Sequence, residues 1–460
     1  MFGNLIQTFT NCFKIPELKS RIFFTILLLA IARLIAFVHV PGLNTDALNK
    51  FFEDAAAKTG VLGMYNLFTG DAMSHGAVGA LGIMPYISAT IIIQLLTAVI
   101  PTLSKAAREE GGRAKIIQYG RYLTVGLCLV QGAFMAMSWE NPQSLFGSGW
   151  VYGDLVINKD YIWWYRIQTV LLLTTGTMLL MWLGEQITER GIGNGVSLII
   201  TIGIVASLPQ AVGQVREMFW PGADVERTHG LVEAVVMILM IVLVIAVVIA
   251  VTQAQRKIPV QYAQRAVGRK IYAGQSSFMP LRVNYAGVMP VIFASAILMF
   301  PQKLFSMIGT RFNIKFFNDI AYHLNYGSVF YLLLFGLMIL FFSYFWVATQ
   351  FNEIQIADDL KKNGGYIPGV RPGQPTSDYL HNTMSRITLA GALFLTGIAI
   401  LPIVLQDKMK IPHAVAGFFG GTSMLITVGV MLDTMRQIES HLLMRHYDGF
   451  LKKGKIKGRL

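Results

Sequence analysis

The chain has 460 residues, of which 54% are hydrophobic and only 14% charged, with a mean hydropathy of +0.54 and a formal net charge of +13. Soluble globular domains carry about 25% charged residues, so this composition excludes that class and predicts a membrane protein with several spans. The two cysteines, Cys12 and Cys128, lie before the first span and inside the third, which indicates neither a disulfide framework nor a metal site.

In chain order, a short amphipathic arm (1–21) leads into the first of ten predicted membrane spans. The run from Ile22 to Val40 is long and has no small-x-small cleavage pattern, so it is interpreted as a retained span and not as a signal peptide. Further apolar runs predict spans at about 77–100, 117–138, 163–186, 193–213, 231–252, 285–301, 328–350, 385–405 and 414–434.

Between the first two spans lies a short, glycine-punctuated segment, Val61 to Asp71, which is too short to cross a bilayer. Lipid cannot satisfy a bare backbone N–H or C=O, so half-length segments occur at membrane depth only beside protein or a water-filled cavity. We therefore expect a re-entrant segment next to an internal cavity.

The distribution of Lys and Arg predicts the orientation. With ten spans both termini share a side, and the segments on that side are strongly net positive whereas the opposite loops are net negative. By the positive-inside rule, both termini are predicted to be cytoplasmic.

Two of the cytoplasmic loops, 252–284 and 351–383, are longer than helix connections require. The first carries six basic residues and no acidic one, and the second places Arg371 between two Pro-Gly turn sequences. Two interpretations remain open at this point. The loops either anchor to lipid headgroups or form a docking surface for an acidic partner such as RNA.

An internal repeat relates the two halves of the chain, 22–213 and 231–434, which are joined by an external connection (214–230) and followed by a basic tail (435–460). The octets 82–89 (GIMPYISA) and 287–294 (GVMPVIFA) match at Gly, Met, Pro, Ile and Ala in one register. Five spans per half is an odd number, so the second half enters the membrane inverted. Ile87 and Ile292 are then equivalent positions facing a shared axis.

The predicted spans contain almost no ionisable residues, although a transporter for charged solutes generally needs them. Arg33 is the clear internal charge, and it is interpreted as snorkelling or bonded to backbone carbonyls. Branched aliphatic residues remain around the axis, and such a ring can close a pore by dewetting. The 191–195 sequence GIGNG lacks the Lys-Ser/Thr of a phosphate loop, and Glu185 and Glu189 are interpreted as a solvated face or a helix contact. No catalytic constellation, cofactor site or metal site is predicted.

Five motifs resemble the SecY family, the channel subunits of protein translocases: 81–97 (LGIMPYISATIIIQLLT), 180–200 (LMWLGEQITERGIGNGVSLII), 283–301 (VNYAGVMPVIFASAILMFP), 368–376 (PGVRPGQPT) and 419–426 (FGGTSMLI). The likeness runs in the same order over about 14–459. It implies an all-α polytopic membrane protein of ten helices in two inverted five-helix halves around a central pore, with a re-entrant plug helix.

The resemblance also implies roles for individual residues. It implies a pore ring of Ile83, Ile87, Val196, Ile200, Ile292 and Ile426, in which the valine departs from the usual isoleucine. The plug corresponds to about 62–74, including Leu62, Met64, Tyr65, Asn66, Leu67 and Phe68. The lateral gate, between spans two to three and seven to eight, includes Pro85, Gln94, Pro290 and Phe300. Partner docking is assigned to Arg371, Arg256, Lys257, Arg265 and Arg269.

The function implied is a passive channel, not an enzyme, that moves unfolded secretory polypeptides across the membrane and releases apolar segments into lipid. Its implied partners are SecE and SecG subunits, the SecA motor ATPase, the ribosome through rRNA contacts of the basic loops, preproteins with their signal peptides, and membrane lipids. The implied location is the bacterial inner (plasma) membrane. The alternative reading is an inverted-repeat secondary transporter for a small solute.

Overall fold

A computed structural model describes residues 15–55, 60–109, 111–143, 150–157, 160–219, 231–262, 265–267, 270–272, 276–312, 314–325, 327–409 and 422–453. In the first half the helices are α1 (Pro16–Ile35), α2 (Thr45–Ala55), α3 (Gly60–Thr69), α4 (Met84–Val99), α5 (Pro101–Arg108), α6 (Gly112–Glu140), α7 (Ile162–Arg190), α8 (Gly195–Ala206) and α9 (Leu208–Phe219). In the second half they are α10 (Leu231–Gln253), α11 (Met289–Phe312), α12 (Lys315–His323), α13 (Val329–Gln350), α14 (Glu353–Lys362), α15 (Gln374–Met409) and α16 (Thr422–Lys453).

Each of the ten predicted spans overlaps a helix in this described part of the chain. Within it, five helical stretches are long and apolar enough to cross a membrane by themselves: Ala114–Glu140, Ile162–Arg190, Gly195–Gly213, Val329–Lys362 and Gln374–Leu401. Shorter apolar helices occur at Met84–Val99, Met237–Gln253 and Met289–Leu298. The architecture is that of a polytopic helical membrane protein.

The second span is only partly helical, which differs from the continuous helix predicted over 77–100. Residues 70–83 form a series of turns, and the helix begins at Met84. Gly70, Gly76 and Gly82 have positive φ angles there, a conformation that glycine adopts without steric cost. These glycines interrupt the helix that the apolar residues favour.

The internal repeat extends to backbone conformation. Gly82 and Gly287 both have positive φ (59° and 63°), and each precedes by two residues the first residue of a helix, Met84 or Met289. Proline follows at the second helical position in both, where its missing N–H has no helical partner to lose. The matched octets therefore fold alike.

The two largest hydrophobic clusters hold much of the described structure together. The larger one joins buried side chains from helices of both halves, from α1 to α16. The smaller one lies where the two long loops meet the membrane helices, and it includes Ile258, Leu281, Phe351, Ile367 and Leu380. The loops thus have a core of their own and are not simple connections.

Strand structure in the first long loop was not predicted. Strand β1 (Gln255–Tyr262) pairs antiparallel with β4 (Ser276–Arg282), and between them β2 (Arg265–Val267) pairs with β3 (Lys270–Tyr272). A short strand from the second long loop, β5 (Gly365–Tyr366), adds to the other edge of β1 to give the order β4-β1-β5. Both loops are therefore joined in one sheet.

Candidate functional site

Aliphatic residues of the predicted pore ring lie together in the larger cluster. Four helices or their caps supply the isoleucines: Ile83 and Ile87 at α4, Ile200 on α8, Ile292 on α11 and Ile426 on α16. None of the five is more than 5% exposed. Val196 is half-buried and packs against the same cluster. Helices of both halves thus contribute buried branched side chains to one apolar cluster, and the part formed by these ring positions is called the waist below.

A polar cavity of about 480 Å³ lies directly beside this waist. Its wall includes Ser197, which follows Val196, and Val288 and Val430, each four residues (about one helical turn) from Ile292 and Ile426. The remaining wall is largely polar and includes Asn194, Thr252, Arg282, Asn284, Asp433, Arg436 and Gln437. A cavity with many polar groups therefore lies next to the apolar residues of the predicted ring.

The cavity wall was missed by sequence reasoning because its charged residues, Arg282, Asp433 and Arg436, come from segments far apart in the chain. Arg436 donates from Nη2 to the carbonyl of Thr252 (2.8 Å), and its Nη1 is 3.6 Å from Asp433 Oδ1. The bond to Thr252 bridges α16 to the end of α10, whereas the Asp433 contact lies within α16. A charge count by segment cannot detect them, since it records the residues but not the helices they face.

The plug assignment falls on α3 and the turns that follow it. Tyr65, Asn66 and Phe68 are buried, and Leu67 packs against the larger cluster. The Asn66 side chain donates from Nδ2 to Asp71 Oδ1 (2.9 Å) and accepts from the N–H of Ser74 (2.9 Å). The side chains of Leu62 and Met64 lie outside the described part of the structure. The segment is a folded unit seated against the waist.

Arg33 contacts the same segment from α1. Its Nη1 donates to the carbonyl of Gly70, and its guanidinium lies 5.1 Å from the centre of the Phe37 ring. This confirms the interpretation of Arg33 as an arginine bonded to a backbone carbonyl.

Several glycines in and around the turns after α3 pack closely against neighbouring backbone. A Cβ on Gly70 would lie 2.9 Å from the Cα of Gly203 in α8, and a Cβ on Gly176 would lie 2.3 Å from the carbonyl oxygen of Val78. Thr177 in α7 also donates to the carbonyl of Gly82 (3.1 Å). Glycine at these places allows backbone to approach backbone closely.

Residues assigned to the lateral gate lie on or near two helices that pack against each other, α4 and α11. Pro85 and Pro290 are buried near the first turns of these helices, and Gln94 is half-buried further along α4. Among the described residues, none is a hydrogen-bond partner of Gln94 Oε1. The side chain of Phe300 lies outside the described part. The two helices are in direct contact in this structure.

The docking residues that can be described are exposed. Arg371 lies in a turn between two glycines of positive φ, Gly369 and Gly373, and its carbonyl accepts from Thr376 Oγ1 (2.8 Å). Arg256 and Lys257 are exposed on β1. The side chain of Arg265, and Arg269 as a whole, lie outside the described residues.

The 191–195 sequence forms a packed corner, not an anion site. Its N–H groups are already engaged: Ile192 with Thr25 Oγ1, Gly193 with Gln437 Oε1 and Gly195 with Thr188 Oγ1, at 2.8–3.0 Å. Asn194 caps α8 by accepting from the N–H of Ser197. Nearby, Glu185 accepts from Arg121 Nη2 (2.7 Å), which is the predicted helix contact. The described residues contain no cluster of three His, Cys, Asp or Glu that could hold a metal ion.

Comparison with known proteins gives consistent matches. The family model SecY matches residues 77–435. The protein translocase subunit SecY of Chlamydia trachomatis is 43% identical over 459 residues, covering 99% of this chain and 100% of that protein. A solved structure described as "The structure of a protein conducting channel" aligns with a TM-score of 0.63 at 18% identity, over 95% of this chain and 94% of the other. A second, described as "The plug domain of the SecY protein stablizes the closed state of the translocation channel and maintains a membrane seal", aligns at 0.61 and 18%, with the same coverage.

Proposed function

The chain belongs to the SecY family of protein translocase subunits, and from that membership we propose that its apolar waist is the constriction through which an unfolded polypeptide passes. The observation that carries the proposal is that buried isoleucines from both halves share one apolar cluster, next to a cavity with many polar groups. A channel of this kind admits a chain through the cavity and withholds water and ions at its apolar waist while closed.

A waist of branched aliphatic side chains suits an arbitrary cargo. A translocating chain presents every residue type in turn, so specific hydrogen bonds at the narrowest point would hold some segments and reject others. Short branched side chains instead adapt in shape to whatever passes. Val196 is one methylene smaller than the isoleucine that the family resemblance leads us to expect, so that side of the ring is slightly wider.

We assign the plug to α3 and the turns to residue 74, and the lateral gate to the seam between α4 and α11. Separation of these helices would give an apolar signal segment a path into lipid, driven by its own hydrophobic transfer. The closed packing of α4 on α11 supports this as the resting state.

The joined long loops supply the docking surface in this proposal. Arg371 is an exposed guanidinium at a turn, and Arg256 and Lys257 are exposed on the neighbouring strand. We infer that this side is cytoplasmic, that it receives SecA or the ribosome, and that SecE and SecG pack around the helices in a bacterial inner membrane. A motor or ribosome must supply the energy, because the protein is a channel and not an enzyme.

Reconstitution tests the proposed function. The chain is placed in vesicles with a SecE-like helix and SecA, and a radiolabelled preprotein is added with ATP or with a non-hydrolysable analogue. We expect protease-protected preprotein only with ATP. Uptake of a small solute without protected preprotein would reject the proposal and favour a secondary transporter.

A further inference from the structure

The contacts of Arg33 involve the segment that we assign to the plug. It is an ionisable residue within the first predicted span, where a charge costs about 2.5–3.5 kcal/mol or more unless it is paired. Its Nη1 donates to the carbonyl of Gly70, and the next residue, Asp71, carries a carboxylate of opposite charge. Both residues belong to the turn that follows α3, the helix that we assign to the plug. The charge of Arg33 in the first span is therefore stabilised by the plug segment.

The turn is shaped to present these two groups. Gly70 and Asp71 both have φ of 65°, and a positive φ is uncommon outside glycine. Asn66 fixes Asp71 through its Nδ2, and Ser74 Oγ donates to the carbonyl of Asp71 (2.8 Å). The plug's own hydrogen bonds thus preorganise the turn that Arg33 contacts.

Neighbouring contacts divide this region into residues that are tied to the first span and residues that can move away from it. Beyond the turn, the N–H of Val40 donates to the carbonyl of Gly76 (2.9 Å), and the N–H of Val78 donates to the carbonyl of Val38 (2.8 Å). These backbone bonds tie residues 76–78 to the end of the first span. Before the turn, α3 rests on the waist through apolar contacts, which have no direction and can slide. Between these two regions, Arg33 of α1 donates a hydrogen bond to the carbonyl of Gly70 in the turn.

We propose that Arg33 is a latch that holds the plug closed by clasping the Gly70–Asp71 turn from the first span. This rests on the proposed function and goes beyond it, because it assigns the stability of the closed state to one side chain outside the ring and the plug. When the plug leaves, the guanidinium exchanges the clasp for water in the opened passage. The latch therefore favours closure without blocking the path itself.

The test compares two intramembrane arginines in the reconstituted complex. Arg33→Met keeps the length and the apolar part of the side chain but removes the clasp. Arg166→Met is the matched control, since Arg166 is half-buried and paired with Glu140 (2.8 Å) away from the plug. We expect resting ion leak to rise about tenfold or more with Arg33→Met, as for loss of a charge-assisted hydrogen bond, and to stay at the wild-type level with Arg166→Met.

A disulfide separates loss of the latch from general damage. Ala36 of the first span and Ala72 of the plug turn are in one buried alanine cluster, so cysteines at both positions should tether the plug. In Arg33→Met, oxidation of this pair should restore the seal, and reduction should bring back the leak. A leak that persists after oxidation would place the defect elsewhere and overturn the proposal.

Asp71→Asn is the second variant, in case Arg33→Met does not accumulate in the membrane. Asparagine tolerates a positive φ, so this change removes the charge and keeps the turn. We expect a smaller but measurable rise in leak, and wild-type leak would overturn the latch. ATP-dependent export by the wild-type channel is measured alongside. If the wild-type channel exports preprotein but the variants leak no more than wild type, only the latch is rejected. If the wild-type channel does not export preprotein, the proposed function is rejected.

Discussion

Replacement of Ile292 by asparagine tests the apolar waist most directly. Ile292 is 1% exposed and lies in the cluster with the other ring isoleucines. Burying an isoleucine contributes about 1.5–3 kcal/mol, and a buried amide without a partner costs about 1–3 kcal/mol. The lower values together give about 2.5 kcal/mol against the closed waist, which corresponds to a roughly sixtyfold shift toward a hydrated one.

The assay is the conductance of the resting channel in planar bilayers, normalised to the amount of protein inserted. Ile292→Asn should conduct ions without cargo and should pass preproteins with defective signal peptides. Ile292→Val is the matched control, because it stays apolar and costs only about 0.5–1.5 kcal/mol. Ile339→Asn is a second control, since Ile339 is equally buried on α13 but outside the ring, and it should lower the amount of folded channel. Wild-type conductance by properly inserted Ile292→Asn would refute the ring assignment.

Three further predictions concern docking, the gate and the packing of α7 against the turns before α4. Arg371→Glu should abolish SecA-driven export with normal assembly, whereas Lys361→Glu, also exposed on the second long loop, should export normally; export by Arg371→Glu in the vesicle assay would remove the docking role. A cysteine pair that joins α4 to α11 should block export when oxidised and release it when reduced, and an oxidised channel that still exports would mean that the seam is misplaced. Gly176→Ala should lower the thermal stability of the detergent-solubilised protein, because its Cβ would meet the carbonyl oxygen of Val78 at 2.3 Å. Gly126→Ala, with no atom within 4 Å of the new Cβ, is the control and should be neutral or stabilising, so equal melting temperatures for the two variants would contradict this packing.

The sequence predicted the helices well where apolar runs are unbroken. The runs at 231–252 and 328–350 nearly coincide with α10 and α13. It was less accurate where other forces act on the backbone, as in the turns before Met84 and in α15, which begins at Gln374, well before the predicted start at 385. Hydropathy marks the part of a helix that lies in lipid, and polar extensions beyond the bilayer give no such signal.

The strands of the first long loop leave a pattern in the sequence. Ile258 and Val260 are buried on one face of β1, with exposed residues between and around them, which is the period-two pattern of a strand. By contrast, the pairing of β1 with β5 joins residues about a hundred positions apart, Gln261 with Tyr366 and Tyr262 with Gly365. Contacts at this separation depend on the assembled fold and could not be read from either loop alone.

The candidate site also contains residues that the sequence predicted and a contact that it could not predict. The isoleucines of the waist were identified through family resemblance, and the matched octets independently pointed to Ile87 and Ile292. The clasp between Arg33 and Gly70 could be anticipated only as a class of contact, an arginine on a carbonyl, because the acceptor lies 37 residues away on a turn of unusual backbone shape. The tertiary structure therefore determines which carbonyl Arg33 contacts.

The shared sheet of the two long loops has a mechanical consequence. Strand hydrogen bonds resist sliding, and Tyr366 Oη adds a bond to Gln261 Oε1 (3.0 Å) across the junction. Strand β1 begins two residues after α10 ends, and β4 ends seven residues before α11 begins. In the proposed mechanism, a force on Arg371 is transmitted through this sheet to the ends of α10 and α11, and α11 forms one side of the proposed gate. Binding of a partner and opening of the seam are then mechanically coupled.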